Sequence, residues 1–129
     1  MADLSKALSA ASSAINIEIS ALSKFAEKLE SNLKPALEII LASQGHVVIT
    51  GLGKSGLVGA KIAATLASTG TPSFFMHSGD ALHGDSGALT PGDVLIAISN
   101  SGETAEVCAI AKMAKGWGNP TIAITKSAN

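Results

Sequence analysis

The chain has 129 residues, about one domain, and its composition excludes several functional classes. Hydrophobic residues make up 47% and charged residues 15%, which predicts a compact globular fold. Nine Lys against ten Asp and Glu leave a net charge of −1, and there is no Arg. A nucleic-acid-binding protein normally carries a basic stripe with Arg in it, so that class is excluded. No apolar run approaches the roughly 18 residues of a membrane span and no signal-peptide pattern opens the chain, so we expect a cytoplasmic protein without membrane contact.

The first segment is predicted to be one long amphipathic helix, because its apolar residues recur at steps of three and four. They are Leu4, Leu8, Ala11, Ile15, Ile19, Leu22, Phe25 and Leu29. This stripe either packs along its own domain or forms a subunit interface. The stretch SNLKPA is predicted to break the helix, with Ser31 or Asn32 as a cap and Pro35 in the first turn of a second helix that ends near Gly45.

Short apolar runs follow these helices: HVVIT, SFFM, DVLIAIS and TIAIT. They do not alternate with polar residues, which is typical of strands buried on both faces of a parallel sheet. Helices are predicted between them over residues 55–69, 80–89 and 103–115. The order βαβαβαβ predicts an α/β fold, a doubly wound open parallel sheet with helices on both faces. Since the fourth strand leads only to KSAN, we expect the domain to be incomplete at its C-terminus.

Polar, glycine-bearing loops follow the first three predicted strands: GLGKSG, HSGDALHGDSG and SNSGETAEV. In open parallel sheets, ligands bind beyond the carboxyl ends of the strands. The three loops therefore predict one ligand site at one edge of the sheet.

The GLGKSG loop is similar to two phosphate-binding motifs, the P-loop and the glycine motif of dinucleotide-binding folds. The spacing of the glycines distinguishes them. A P-loop needs a glycine at position 48, where the strand has Val48, so that motif is excluded. Gly51, Gly53 and Gly56 match the G-x-G-x-x-G spacing of dinucleotide-binding folds. Those folds also need an acidic residue at the end of the second strand, and the chain has His77 there, which disfavours a dinucleotide.

The SNSGET loop indicates a site for the phosphate of a small sugar. It offers three hydroxyl side chains, Ser99, Ser101 and Thr104. Backbone N–H groups of Gly102 and its neighbours add to these at the start of a predicted helix, whose N-terminus attracts anions. Ordinary capping, with Asn100 and Glu103 as a capping box, is the alternative interpretation.

The segments GLGKSG, ALHGDSG and SNSGETAEV, in this order and spacing, resemble the sugar isomerase (SIS) domain, and more narrowly its arabinose-5-phosphate isomerase branch. The resemblance covers about residues 35–126 well. It implies a flavodoxin-like sheet in a single SIS domain over residues 1–129, with N-terminal helices in 1–44 and the core in 45–129. It also implies a homo-oligomer, expected to be a tetramer, with sites between subunits.

The activity that the resemblance implies is aldose–ketose interconversion of arabinose 5-phosphate and ribulose 5-phosphate through an enediol, without a cofactor. This reaction feeds synthesis of the sugar acid KDO of bacterial lipopolysaccharide. In the family a second catalytic histidine lies in a segment beyond position 129, and a pair of CBS modules usually follows. The chain alone is therefore expected to bind substrate without full activity.

The resemblance assigns roles residue by residue. Lys54, His83 and Glu106 match catalytic positions. The predicted phosphate-binding residues are Ser55, Ser99, Asn100, Ser101, Gly102 and Thr104, and those in secondary roles are Gly53 and Glu103. His77 inherits no role, because the proline that often follows this position in the family is absent.

The chemistry of the three catalytic candidates agrees with that assignment. Enediol isomerisation needs a base beside the carbonyl carbon and an acid that moves protons between two oxygens. Lys54 can neutralise the phosphate or polarise a hydroxyl, and simple solvation is its alternative. Glu106 is the favoured general base, and His83 is either a functional or a structural histidine. Glu103, on the same predicted helix face as Glu106, is explained by the helix dipole alone.

The remaining candidates favour structural roles. Cys108 is predicted to be a buried structural thiol, and His46 a structural histidine. Four residues have no spacing typical of a metal site, so no metal is expected: His77, Asp80, His83 and Asp85. The alternative function is a non-catalytic SIS module that binds a sugar phosphate or nucleotide sugar for regulation.

Overall fold

The computed structural model describes residues 3–126, in which helices alternate with strands after an all-helical start. The helices are α1 (Leu4–Glu27), α2 (Leu29–Ala42), α3 (Gly53–Ser68), α4 (Ser78–Ala81) and α5 (Ala105–Gly116), with a 3-10 helix at Asp85–Ala88. The strands are β1 (Val47–Gly51), β2 (Ser73–His77), β3 (Val94–Ile98) and β4 (Thr121–Ile124). The chain forms two compact units with their boundary between Leu37 and Glu38. The predicted continuation of the domain after the fourth strand lies outside the described residues.

The N-terminal unit begins with a capped helix. The Asp3 side chain accepts hydrogen bonds from the backbone N–H groups of Ser5 (3.0 Å) and Lys6 (3.4 Å), which is the role of an N-cap residue. Along its 24 residues, α1 has no buried residue. The side chains of its apolar stripe are therefore exposed in this chain.

The predicted break at SNLKPA is wrong in position. The interruption falls at Lys28, and α2 starts at Leu29, so neither Ser31 nor Asn32 is a cap. The N–H of Asn32 already donates to the carbonyl of Lys28 at 3.1 Å, which closes the first turn before the proline. Pro35 therefore lies inside α2, where it removes one backbone hydrogen bond without ending the helix.

The sheet has four parallel strands in the order β2-β1-β3-β4, which confirms the predicted doubly wound fold. In its register Gly51 is opposite His77 on one side and Ile98 on the other, and Ile98 is opposite Ile124. Every residue of β1 and β3 is buried, as their unbroken apolar runs predict. The carboxyl ends of the strands therefore lie level at one edge.

Each face of the sheet has its own core. On one face Val48 and Leu95 belong to a cluster with Ile110 and Ala114 of α5. On the other face Val47, Ile49, Ile96 and Ile98 cluster with Ala63 of α3, and Ile40 near the end of α2 packs against them. Helices thus cover both faces, and α3 and α5 leave the central strands β1 and β3 in opposite directions.

Two predicted helices differ from the observed ones because glycines with positive φ interrupt them. The predicted helix 80–89 is split into α4 and the 3-10 helix around Gly84, whose φ is 128°. The predicted helix 103–115 starts at Ala105, two residues late, because Gly102 has φ 77° and the N–H of Glu103 donates to Ser101 Oγ at 3.1 Å. Left-handed backbone ends a helix, and glycine adopts it without strain.

A hydrogen-bond network around the buried residue Asp93 joins the starts of three strands. The carboxylate oxygens of Asp93 accept from the N–H of His46 (2.6 Å), the N–H of Thr90 (2.7 Å) and Thr90 Oγ1 (2.9 Å). Asn119 Nδ2, just before β4, donates to the carbonyls of Thr90 (2.8 Å) and Asp93 (3.1 Å). Burial raises the pKa of Asp93, but the hydrogen bonds from His46 and Thr90 outweigh it and hold the pKa below its ordinary value of 3.8. The network fixes the amino ends of β1, β3 and β4 relative to one another.

We expect Asp93→Asn to destabilise the fold by about 2–3 kcal/mol at neutral pH, because its amide group would face N–H donors that need an acceptor. Since the folded pKa is lowered, the carboxylate contributes fully above its ordinary value of 3.8 and loses that contribution as pH falls through the folded pKa. In urea unfolding, the free energy of unfolding should therefore differ between wild type and Asp93→Asn at neutral pH. This difference should become smaller as the pH falls. The exposed Asp85→Asn is the control, with an expected change within about 0.5 kcal/mol. A difference in unfolding free energy that is the same at every pH would contradict this role of the Asp93 carboxylate.

Candidate functional site

A cleft of about 360 Å³ opens at the carboxyl edge of the sheet, beyond β1, β3 and β4. Its lining residues are Lys54, Ser55, Val58, Ile98, Asn100, Ile124, Thr125 and Lys126. The cleft lies where the connections from β1 and β3 leave for opposite faces, which is the switch point at which open α/β sheets bind ligands. Sequence analysis predicted three of these residues for the site: Lys54, Ser55 and Asn100.

The charge of the cleft favours an anion. Two lysines line it, Lys54 in the first turn of α3 and Lys126 after β4, and no carboxylate is among the lining residues. The first N–H groups of a helix lack partners within that helix and carry a partial positive charge. Lys54 and Ser55 therefore lie where a phosphate would gain both a cation and helix N–H groups.

The glycines of GLGKSG serve the packing of α3 onto the sheet. A Cβ on Gly56 would be 3.1 Å from the carbonyl oxygen of Gly51, and a Cβ on Gly51 would be 3.1 Å from the N of Gly56. One turn later, a Cβ on Gly59 would be 3.0 Å from Ile49 Cγ2. Gly53 differs from these: it has φ 55° and open space around it, and it turns the chain from β1 into α3. The G-x-G-x-x-G spacing thus has a packing explanation that needs no dinucleotide.

The SNSGET loop is organised from within by Ser99, which is buried. Ser99 Oγ accepts from the N–H of Gly102 at 3.1 Å and lies 2.8 Å from Thr104 Oγ1. The N–H of Gly102 also contacts the Ser99 carbonyl at 3.2 Å, so it points into the loop. Ser101 Oγ accepts from the N–H of Glu103. The predicted capping box of Asn100 and Glu103 is wrong, because α5 begins only at Ala105 and both residues precede it.

This arrangement leaves hydroxyl hydrogens for a ligand. A serine or threonine hydroxyl has one donor and two acceptor lone pairs. Ser101 accepts one bond within the loop, so its O–H remains able to donate. In the Ser99–Thr104 pair one O–H donates to the other oxygen, and Thr104 is the more exposed partner. When Ser99 is the donor of this pair, the loop offers two hydroxyl hydrogens to an anion, those of Ser101 and Thr104.

The other catalytic candidates lie outside the lining of this cleft. Glu106 is the second residue of α5 and is half-buried, whereas Glu103 is exposed in the loop, so the prediction of one shared helix face is wrong. His83 is exposed in the turn between α4 and the 3-10 helix, with its N–H donating to the Asp80 carbonyl at 2.9 Å. Lys54, in the first turn of α3, and His83, in the turn after α4, therefore belong to different connections at the same sheet edge.

A second cleft of about 460 Å³ lies beside β2. It is lined by Phe74, Phe75, Met76, His77, Asp80, Gly84, Asp85 and Ala88. His77 Nδ1 is 3.3 Å from Asp80 Oδ2, an ion pair only when the histidine is protonated. Within residues 3–126, no group of three His, Cys, Asp or Glu side chains is arranged to hold a metal ion. In the same range no helix has the length and hydrophobicity needed to cross a membrane.

Cys108 and Lys126 have contacts that sequence analysis missed. Cys108 is half-buried, not buried as predicted, and its Sγ donates to the carbonyl of Gly102 at 3.2 Å, because Val107 and Ile110 take the core-facing positions of α5. The backbone N–H of Lys126 donates to the carbonyl of Asn100 at 3.1 Å. The signal for Lys126 was present in the sequence, since it follows a strand whose carboxyl end lies at the ligand edge.

Comparison with known proteins places the chain in a family. The SIS domain profile matches residues 40–129, more than half of the chain. The chain belongs to the SIS domain family. It is 51% identical over 110 residues to arabinose 5-phosphate isomerase KpsF of Escherichia coli O6:H1, covering 84% of this chain and 34% of that protein. It is 50% identical over 114 residues to arabinose 5-phosphate isomerase KdsD of Francisella tularensis, covering 86% of this chain and 35% of that protein.

A solved structure agrees with the family. The SIS chain superposes with a TM-score of 0.88 and 40% identity on the Escherichia coli CFT073 protein c3406 in complex with arabinose 5-phosphate, covering 97% of this chain and 66% of that one. The chain spans about a third of the length of the curated relatives. The family and the fold are thereby established.

We expect Gly56→Ala to destabilise the protein by about 1–3 kcal/mol, because the new Cβ meets rigid backbone and pushes α3 away from β1. Thermal or urea unfolding measures the effect. The matched control is Gly116→Ala at the end of α5, where a Cβ would have nothing within 4 Å. This control should be neutral or stabilising by up to about 1 kcal/mol. Equal stability of the two variants would contradict the close packing of α3.

Proposed function

We propose that the protein containing this chain is an aldose–ketose isomerase that interconverts arabinose 5-phosphate and ribulose 5-phosphate. The observation that carries the proposal is the acid-free cleft with two lysines beside a hydroxyl-rich loop, at the switch point of the sheet. A phosphate monoester is mostly a dianion near neutral pH and suits such a cleft. Relatives about half identical to this chain are named arabinose 5-phosphate isomerases, which supports the choice of sugar.

The phosphate would be held between α3 and the SNSGET loop. Ser55 and Asn100 line the cleft, and Ser101 and Thr104, which lie outside its lining, would donate their hydroxyl hydrogens to the phosphate. Ser99 would act indirectly, since its buried hydroxyl holds the loop through Gly102 and Thr104. Gly102 contributes its positive φ to the loop, and its N–H is directed at Ser99.

The isomerisation needs a proton to leave C2 of the aldose and return at C1, while another moves between O1 and O2. Glu106, half-buried in the first turn of α5, is the proposed base for the carbon proton. Lys54, in the first turn of α3, would stabilise the negative charge that develops on the enediol oxygens. His83 is proposed to transfer protons between the oxygens. Its exposed position agrees with a site completed across a subunit boundary.

A regulatory module that binds a sugar phosphate or nucleotide sugar is the second candidate. One observation favours it: the residues that line the cleft can bind an anion but include no carboxylate or histidine for proton transfer. Ligand binding without turnover in the protein containing this chain would support this candidate.

We propose that the protein is a homo-oligomer, a tetramer built from dimers, in which α1 of one copy packs on a second copy. The spacing of the stripe puts Leu8 and Leu22 on one side of α1. Both are exposed, with 62% and 68% of their surface accessible. Monomeric proteins rarely leave a continuous apolar face of this length in water. A cytoplasmic location and a role in KDO synthesis stay predictions from the sequence.

Substitutions that introduce charged residues into the apolar stripe of α1 test the oligomer. Leu8→Glu together with Leu22→Glu should lower the mass measured by light scattering at tens of micromolar, because the interface would bury unpaired carboxylates. The matched control is Ser13→Glu with Ser20→Glu, which adds the same charge on the opposite side of α1 and should leave the mass unchanged. Removing residues 1–30 should also lower the number of subunits in the oligomer. A wild-type monomer, or equal masses for both double variants, would contradict the proposal.

The catalytic proposal is tested by three substitutions in the full-length protein. Glu106→Gln keeps the shape of the side chain and removes the base, so kcat should fall by roughly 10²–10⁴ with little change in KM. Ser101→Ala should mainly raise KM, by a loss of about 1–2 kcal/mol in phosphate binding. Lys54→Met should lower kcat and raise KM, because a cation there serves ground and transition states alike.

Solvent deuterium uptake into the sugar reports the same carbon proton and should vanish in Glu106→Gln. The control is Glu103→Gln, an exposed carboxylate of the neighbouring loop, which should exchange normally. Normal exchange in Glu106→Gln would show that another group is the base, with His83 the first candidate.

A further inference from the structure

The two lysines of the cleft lie on opposite sides of the SNSGET loop. Lys54 follows β1, the loop follows β3, and Lys126 follows β4, in the spatial order β1-β3-β4. Adjacent strands are about 4.8 Å apart, so the two backbones are separated by roughly 10 Å at this edge. A lysine side chain reaches roughly 6 Å on its flexible four-carbon stem. Both ammonium groups can therefore reach one anion above Asn100.

The local contacts leave the Lys126 side chain available for that role. Its backbone N–H is bonded to the carbonyl of Asn100, which ties the end of β4 to the loop without using the ammonium group. The ion pairs within residues 3–126 are Lys6–Asp3, His46–Asp93 and His77–Asp80, and neither lysine of the cleft takes part in one. The two cations thus face the cleft without a protein counter-ion among the described residues.

We propose that Lys126 is a second phosphate-binding residue, which with Lys54 brackets the phosphate dianion of the substrate. This inference rests on the proposed phosphate site and adds a residue that the three glycine-bearing loops do not contain. A chain without Arg has no bidentate group for a dianion, so two lysines from separate elements supply the matching charge. Because Lys126 binds through its side chain alone, its substitution leaves the backbone bond to Asn100 in place.

Isothermal titration of the full chain with arabinose 5-phosphate, and separately with inorganic phosphate, tests the proposal without relying on turnover. Lys126→Met should weaken binding of both probes by about three- to tenfold, the range expected for one partly exposed charge-assisted contact. The dependence of log Kd on log salt should become shallower in this variant. Lys126→Arg should retain most of the affinity, because it keeps the charge.

Lys115→Met is the matched control. Lys115 is exposed in the last turn of α5, at the far end of that helix, and its loss changes the net charge equally. It should bind both probes within about twofold of wild type, which separates a local contact from the general field of the protein. Melting temperatures of the Lys115 and Lys126 variants should match wild type.

The outcomes separate this inference from the function on which it rests. If wild type binds neither probe, the proposed phosphate site itself fails. If wild type binds and Lys54→Met weakens binding while Lys126→Met equals wild type, the role of Lys126 is overturned and the proposed function stands. If Lys126→Met weakens binding of the sugar phosphate but not of inorganic phosphate, the proposal is also overturned, because the lysine would then contact the sugar.

Discussion

The level carboxyl edge of the sheet depends on the buried carboxylate of Asp93 at the opposite edge. Parallel strands lack hairpins that would fix their register, so their relative positions must be set by tertiary contacts. Asp93 joins the residues before β1 and β3, and Asn119 extends the network to β4. Gly45 lies against the carboxylate, where a Cβ would collide with Asp93 Oδ1. The three strands therefore end together, and the loops that follow them meet around one cleft.

A second constraint acts at the ligand edge, where glycines let α3 approach β1. Gly51 and Gly56 allow backbone to meet backbone, and Gly59 leaves room for the side chains of Ile49 and Phe75. This close packing determines where the first turn of α3 lies, and that turn carries Lys54 and Ser55 into the cleft. The glycines thus determine where the Lys54 cation lies in the cleft.

In the proposed function, phosphate binding and proton transfer would be carried by different parts of this SIS domain. The cleft contains lysines and the SNSGET loop supplies hydroxyls, all at the switch point between β1 and β3. Glu106 and His83 come from α5 and from the turn after α4, outside the lining of the cleft. A sugar whose phosphate lies in the cleft would extend its carbonyl end toward such groups. This separation suits an isomerase, because one anchor can hold the substrate while protons move at its far end.

The sequence by itself determined the parallel sheet, the two helix-covered faces and the edge of the sheet at which the cleft opens. These follow from local signals: unbroken apolar runs such as VLIAI predict buried strands, and polar glycine loops after them predict the site. Only the tertiary structure decided how the loop residues are used. Ser99 turns inward to Thr104, α5 starts two residues late, Cys108 faces the carbonyl of Gly102, and Lys126 is tied to Asn100. Such choices depend on hydrogen bonds and packing that form only when the chain is folded, and no local pattern of residues encodes them.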